Sequence, residues 1–253
     1  MSLGSEKAGT VDVADVERFE QDGYLVIDWV DVPEESLDSI VAELRDLYGG
    51  PARKEDGVLY QRNRIMDAWR INDHVKALAL APNVLRILAQ LYGRGPLPFQ
   101  TLNFRTGTQQ AAHSDAMHFN SVPAGFMCGV WVALEDVDME NGPLVYYPGS
   151  QRLPEVTMQD LGLRADRDDY KEYERHVAGV VEREGLAAHY GLLEKGQALV
   201  WASNLLHGGA PQANRERSRH SQVTHVFFEG CKYYTPMQSD QEQIHWRDPV
   251  WIA

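Results

Sequence analysis

The chain has little cysteine: Cys128 and Cys231 are the only two among 253 residues. Two thiols so far apart build no disulfide framework and lack the spacing of a zinc cluster, which fits a reducing cytoplasm. Basic charge is also scarce. Lys and Arg number 24 against 37 Asp and Glu, a net charge of −13. A charge of that sign opposes general attraction to nucleic acid or to an anionic membrane, so neither is an expected partner. No apolar run of about 18 residues occurs, so no transmembrane helix is expected, and residues 1–9 lack the basic start and apolar run of a secretory signal. Internal repeats, low-complexity tracts and Gly/Ser linkers are absent too. With 43% hydrophobic residues, the expectation is one domain over 1–253 with a substantial core. Nothing in the sequence specifies an oligomeric state.

What is present changes texture along the chain. Val13 to Gln21 places Val13, Val16 and Phe19 at helical spacing, and Asp22-Gly23 closes it before a strand from Tyr24 to Asp28. Pro33 opens a second helix to about Tyr48, with Leu37, Ile40, Val41 and Leu44 on one face. Residues 51–73 read as a polar surface loop with room for one short strand, or else as an entrance loop carrying Tyr60, Arg62, Arg64 and Trp69. Val75 to Tyr92 is helical with a break at Ala81-Pro82-Asn83. From Leu97 onward strands dominate: Pro98 to Arg105, Phe126 to Leu134, Leu144 to Tyr147, Ala198 to Trp201 and Gln222 to Phe228. Asp166 to Tyr190 interrupts them as a solvated helical excursion. The segment 231–253 reads as an ordered extension because Tyr233, Tyr234 and Trp246 favour burial.

Chemistry concentrates at His113-Ser114-Asp115 and at His207, within Asn204-Leu-Leu-His-Gly-Gly209. On extended backbone, side chains two apart leave the same face, so an imidazole nitrogen and a carboxylate oxygen can converge on one point. A third ligand from His207 completes the two-His, one-carboxylate face that holds non-heme Fe(II) with positions left open. Arg219 enters the last long strand twelve residues later. A 2-oxo acid co-substrate needs a cation for its distal carboxylate, and a guanidinium holds one bidentately. Arg215 and Arg217 read as solvent-facing loop residues.

Further segments follow in a specific order. They are Phe19-Glu-Gln-Asp-Gly-Tyr-Leu-Val-Ile27, His113-Ser-Asp115, Trp131-Val-Ala-Leu-Glu-Asp-Val137, Asn141-Gly-Pro-Leu-Val-Tyr-Tyr-Pro-Gly-Ser150, Leu206-His-Gly-Gly209 and Arg219 six residues before His225. In that order the chain resembles the phytanoyl-CoA dioxygenase family of Fe(II)- and 2-oxoglutarate-dependent oxygenases, over roughly residues 16–230. The resemblance implies a mainly β fold with flanking helices and a double-stranded β-helix (jelly-roll, cupin-like) core. A helical flank with an early strand would span 1–95, the jelly roll 96–230 with a helical insertion at about 166–190, and an extension 231–253. It also implies Fe(II), 2-oxoglutarate and O2 as cofactor and co-substrates. His113, Asp115 and His207 would be the metal ligands and catalytic centre, Arg219 the co-substrate's partner, and Trp131 a residue beside the co-substrate. Many members have Ser after the distal His-Gly; Gly209 supplies no hydroxyl, so Ser221, Gln100 or Asn103 are candidates to replace it. Asp115 stands where halogenating relatives have a small residue, which favours hydroxylation or desaturation, with release of succinate and CO2.

Two other readings use the same residues: a zinc hydrolase, though no H-E-x-x-H helix supplies its base, and a non-catalytic cupin-like protein in which Arg219 holds an acid. Phe104, Met117, Phe119 and Trp131 are candidates for the pocket wall or for plain core. His118 reads as structural or as a group near substrate, and His225 as a residue facing the barrel interior. His74, His176, His189 and His245 read as surface or capping groups. With no basic cluster evident for the phosphates of an acyl-CoA, a small-molecule substrate such as a metabolite, natural-product intermediate or sugar-like compound is expected.

Overall fold

The computed structural model describes residues 10–164, 167–240 and 242–253. In chain order the elements are α1 (Val13–Asp22), β1 (Tyr24–Ile27), α2 (Glu34–Leu44), β2 (Arg53–Glu55), β3 (Val58–Tyr60), β4 (Arg64–Met66), α3 (Asp73–Ala79), α4 (Pro82–Tyr92), β5 (Pro96–Phe104), β6 (Asn120–Val122), β7 (Met127–Ala133), β8 (Leu144–Tyr146), α5 (Arg167–Arg183), β9 (His189–Tyr190), β10 (Ala198–Ala202), β11 (His207–Gly209), β12 (Ser221–Phe228), β13 (Lys232–Tyr234) and β14 (Trp246–Arg247). The major sheet runs β1-β10-β7-β12-β5-β4-β3-β2, the minor sheet β11-β8-β9, and a third β14-β13-β6. Every pairing is antiparallel. The fold is a jelly roll with α1 to α4 on the outer face of the major sheet.

Alternation along the central strands divides inside from outside. On β7, Cys128, Val130 and Val132 face the helical layer, together with Val226 and Phe228 of β12, Val200 of β10, and Leu37, Ile40, Val75 and Leu88 of the helices. The intervening residues, Trp131 and Ala133 of β7, Leu199 and Trp201 of β10 and Val223 of β12, face the barrel interior. Both faces of β7 and β12 are therefore buried, which is why β7 reads as a continuous apolar run. Local signals set the helices. Asp12 and Asp15 form a capping box at α1, and Pro82 starts α4 at a position where its missing N–H costs nothing. The expected break at residues 81–83 is the junction of α3 and α4.

Four expectations need correction. Residues 51–73 are not a plain surface loop: β2, β3 and β4 extend the major sheet from β5, and this puts Arg64 and Met66 on the inner face. The expected helix over 166–190 is α5 followed by β9, with residue 166 outside the described residues. Nor is α5 simply solvated, because Tyr173 and Val177 are buried against Met117, Met158 and Leu206. In the C-terminal segment Tyr233 is buried, but Trp246 is 48% exposed, since β14 is an edge strand whose Trp meets Tyr234 edge-on and the Lys232 ammonium. Among the described residues, no helix is long and apolar enough to cross a membrane.

Candidate metal centre

His113 and His207 face each other across an isolated antiparallel bridge. Each backbone N–H donates to the other's carbonyl, at 2.9 and 3.0 Å. This bridge needs Gly208, where an added Cβ would lie 2.6 Å from the Gln110 carbonyl oxygen. Ser114 continues the extended backbone, and Asp115 then starts a single 3-10 turn, so His113 and Asp115 both point inward. From α5, the Tyr173 hydroxyl accepts from the Ser114 N–H at 3.3 Å. The charged helix thus backs the loop that carries two of the three candidate ligands.

The tautomers follow from what the rings touch. His113 Nδ1 is 3.0 Å from the Ala111 carbonyl and His207 Nδ1 is 2.9 Å from the Leu205 carbonyl. A carbonyl only accepts, so both Nδ1 atoms carry a hydrogen, which leaves the two Nε2 atoms as the ring positions available to a metal. Those Nε2 atoms lie 3.8 and 3.7 Å from the two Asp115 oxygens, and one ligand atom from each of the three residues falls within 4.8 Å of the others. Trp201 Nε1 donates to Asp115 Oδ2 at 2.8 Å. Its indole lies across Gly129, its cross-strand partner, where a Cβ would come within 2.3 Å of the ring. No larger residue fits there.

Electrostatics prepare the same set. Burial pushes the His113 imidazole down to about 3, with His207 adding to the effect, so His113 is neutral at physiological pH. Burial raises Asp115, but the neighbouring His207, His225 and His113 imidazoles and the Trp201 hydrogen bond outweigh it and hold the carboxyl at about 2. Neutral imidazoles and an ionised carboxylate are the forms that ligate metal. A third imidazole, His225, faces the interior as expected. Its Nδ1 is 2.9 Å from Gln100 Oε1 and its Nε2 is 3.7 Å from Asp115 Oδ2.

The triad opens into a cavity of about 390 Å³, at the small end of the 300–1,000 Å³ common for ligand sites. Arg219 reaches it from two residues before β12, its backbone N–H held by the Arg105 carbonyl at 2.9 Å. The guanidinium is buried, with 4% of the residue exposed. It donates to Ser221 Oγ at 2.7 Å and lies 5.3 Å from the Trp131 ring. Burial lowers its pKa to about 10, with Glu135 working against this. Among the described residues no carboxylate makes an ion pair with it, and its Nε has no hydrogen-bond partner. A buried cation without an anion is costly unless a ligand supplies one. The donor set and this unpaired cation together fit a divalent iron and a 2-oxo acid.

Of the remaining sequence candidates, Gln100, Trp131, Phe104, Phe119 and His118 line the cavity. His118 is tied to the Tyr170 hydroxyl of α5 at 3.1 Å. Asn103 does not line it: one position off the inward-facing Leu102 and Phe104, it points to the helical layer and donates to Gln222 Oε1. Ser221 faces inward but acts on Arg219 and does not itself reach the cavity. Met117 lies behind the metal loop. The position after His207-Gly208 has no room for a side chain, because a Cβ on Gly209 would meet Thr108 Oγ1 at 2.8 Å. Thr108 lines the cavity from there. Sequence reasoning missed it, together with Gln110, Thr235, Met237, Gln238 and Arg247; these come from loops and an edge strand with no periodic signal.

Several known proteins resemble the chain in sequence or in fold. Phytanoyl-CoA dioxygenase domain-containing protein 1 of Mus musculus is 30% identical over 93 residues, 35% of this chain and 32% of that protein. Its Danio rerio counterpart is 35% identical over 79 residues, 30% of this chain and 27% of that protein. The match thus spans about a third of the length of these curated relatives. Among solved structures, EctD from S. alaskensis with 2-oxoglutarate and 5-hydroxyectoine has a TM-score of 0.68 at 18% identity, covering 98% of this chain and 87% of that one. The non-heme alpha ketoglutarate dependent carbocyclase SnoK has 0.67 at 15% identity, covering 98% and 96%. The epimerase SnoN in complex with Fe3+, alpha ketoglutarate and nogalamycin RO has 0.63 at 20% identity, covering 87% and 84%. At these identities the three show a shared fold. The family model for phytanoyl-CoA dioxygenase (PhyH) matches residues 19–221, most of the chain and all four of His113, Asp115, His207 and Arg219, and the chain therefore belongs to that family.

Proposed function

We propose that the chain is an Fe(II)- and 2-oxoglutarate-dependent dioxygenase that hydroxylates an unactivated C–H bond of a small-molecule metabolite. One observation carries this reading. A two-His, one-carboxylate face and a buried guanidinium without an anionic partner line the same cavity.

His113, Asp115 and His207 would hold the metal on one side, leaving open positions toward the cavity. When bound, Fe(II) with the 2-oxo acid activates O2 and oxidises a C–H bond, with release of succinate and CO2. The chain's own residues prepare for that chemistry. The Ala111 and Leu205 carbonyls fix the two imidazoles, and Trp201 fixes the carboxylate. Arg219, set in place by Ser221, would take the distal carboxylate of 2-oxoglutarate, with Trp131 and Phe104 shielding that pair from water. Gln100, held by His225, and Thr108 would offer further polar contacts. Asp115 fills the position where halide would need a small residue, which favours hydroxylation over halogenation. A zinc hydrolase would have no use for Arg219 and no need of O2.

The test is succinate release from 2-oxoglutarate under O2 with Fe(II), against a panel of metabolites. The reading expects iron-dependent succinate that rises with the right substrate and is abolished in Asp115→Ala. Unchanged succinate from Asp115→Ala, or turnover on Zn(II) without O2, would contradict it.

A further inference from the structure

Of the four imidazoles lining the cavity, His113, His207 and His225 each come within 3.8 Å of the Asp115 carboxylate, and His118 does not. His118 caps the 3-10 turn that Asp115 begins, and its backbone N–H donates to the Asp115 carbonyl at 2.8 Å. An atom held by this ring is therefore held at a set place relative to the metal face. Its Nε2 is 3.1 Å from the Tyr170 hydroxyl of α5, with the two rings 5.6 Å apart between centres. Nδ1 makes no hydrogen bond among the described residues, so it is the ring nitrogen open to a ligand.

Tyr170 decides which nitrogen carries the hydrogen. Burial raises the Tyr170 phenol, and a hydrogen bond from the Gln110 side chain works against this, as a donor to the phenol oxygen does. With Gln110 donating to the oxygen, the one phenol hydrogen is left for His118 Nε2. The neutral ring then keeps its own hydrogen on Nδ1, which becomes a donor. Nearby on α5, the Tyr173 hydroxyl accepts from the Ser114 N–H. The helix is thus fastened on both sides of Asp115, and Tyr170 is fixed with it.

This donor lies away from the 2-oxo acid. Arg219 stands beyond Ser221, which pairs with Phe104 and Ala133, and its guanidinium is 5.3 Å from Trp131. The His118 ring is 6.2 Å from Phe119, which packs at 5.0 Å against His225. His225 pairs with Gln100 and Gly129, four residues and about 13 Å along β12 from Ser221. A 2-oxo acid running from the metal to Arg219 extends away from His118.

We propose that His118 is a specificity-determining residue whose Nδ1–H donates to a hydroxyl or carbonyl oxygen of the substrate, and that Tyr170 is the positioning residue that keeps the hydrogen there. This rests on the reading above, in which Arg219 takes 2-oxoglutarate. The substrate is then an oxygenated small molecule, and the distance from that oxygen sets which carbon meets the metal. A saturated hydrocarbon chain would leave the donor unpaired and bind less well.

The test uses protein loaded with saturating 2-oxoglutarate and Zn(II), a diamagnetic stand-in for Fe(II), and reads the His118 ring nitrogens by 15N NMR. Wild type should carry the hydrogen on Nδ1; in Tyr170→Phe nothing fixes it there, and it should shift toward Nε2. The same samples are titrated with cyclohexanone, cyclohexanol and methylenecyclohexane, which are close in shape, the last having no oxygen. One oxygenated probe should bind about tenfold more tightly than methylenecyclohexane, the gain from one hydrogen bond, and move the Nδ1 resonance. That preference should vanish in His118→Phe and shrink in Tyr170→Phe. A larger gain for the ketone assigns a carbonyl to the substrate, and a larger gain for the alcohol a hydroxyl. A hydrogen on Nε2 in wild type, equal affinity for the three probes, no binding of any, or a preference that survives in His118→Phe overturns the proposal. Thermal melts check that both variants are folded; if His118→Phe is not, the tautomer and the probe preference of Tyr170→Phe decide. Failure of 2-oxoglutarate to bind is a separate result against the iron and 2-oxoglutarate reading, and the His118 tautomer in the Zn(II)-loaded protein still decides this one.

Discussion

Arg219 is a charge kept out of water with no anion opposite it, and this gives it opposite effects on stability and on binding. Replacing an unpaired buried ion by an apolar side chain of similar length is neutral or stabilising. Arg219→Met should therefore leave the melting temperature of the ligand-free protein unchanged or higher, while weakening 2-oxoglutarate by about 2–5 kcal/mol, the usual loss when one partner of a buried charged pair is removed. Calorimetric titration beside a thermal melt separates the two. A variant that loses stability and binds 2-oxoglutarate normally would show Arg219 to be structural. Trp201 makes a second case. Its single hydrogen bond to Asp115 is an outer contact of the kind whose loss costs about 10–100-fold in metal affinity, so Trp201→Phe should weaken Fe(II) or Mn(II) binding by that range with the fold retained. The buried imidazoles predict a pH dependence. His113 lies at about 3 and His225 at about 4, both lowered chiefly by burial, whereas in the unfolded chain each would titrate near 6.5. Between those values the unfolded state binds more protons, so stability is full above about pH 6.5 and is lost as pH falls toward 4, by up to about 2.7 kcal/mol per pH unit for two groups. Melting temperature of the metal-free protein should fall steeply over that window, and His225→Gln should flatten the slope; an unchanged slope would place His225 in water.

The elements bring these residues together through contacts that a linear reading only partly contains. The bridge between β11 and the 110–113 segment depends on Gly208, whose added Cβ would strike backbone rather than a movable side chain. Gly208→Ala should therefore push His207 away from His113 and lower metal affinity more than it lowers the melting temperature, measured by metal titration and thermal unfolding; normal metal binding would show the bridge to be dispensable. Periodicity made α1, the α3–α4 break, β5, β7, β10 and β12 legible, because each buries a face in a regular rhythm. His113, Asp115, His207 and Arg219 were legible as ligand types at strand-like positions. The short strands β2 to β4 were not, since three-residue elements carry no period and their polar residues suit an edge. Asn103 was assigned by residue type, and its register turned it outward: one step along a strand reverses the face.

Across the whole molecule, net charge concealed the character of the cavity. A chain of −13 shows no evident basic cluster in its sequence, yet folding collects Arg64, Arg219 and Arg247 around one cavity in which Asp115 is the single acid. No spacing rule links residues 64 and 247, so only the closure of the barrel by β4 and by the segment after β13 reveals that wall. The same closure puts the metal face and Arg219 in one cavity. Anaerobic addition of Fe(II) and 2-oxoglutarate to the purified protein measures whether they act together, because a 2-oxo acid chelating Fe(II) gives a weak visible charge-transfer band. The band should form with the wild-type protein, vanish in His113→Ala and Asp115→Ala, and require much more 2-oxoglutarate in Arg219→Met. No band in the wild type, with no 2-oxoglutarate-dependent rise in melting temperature, would contradict the assignment of this site.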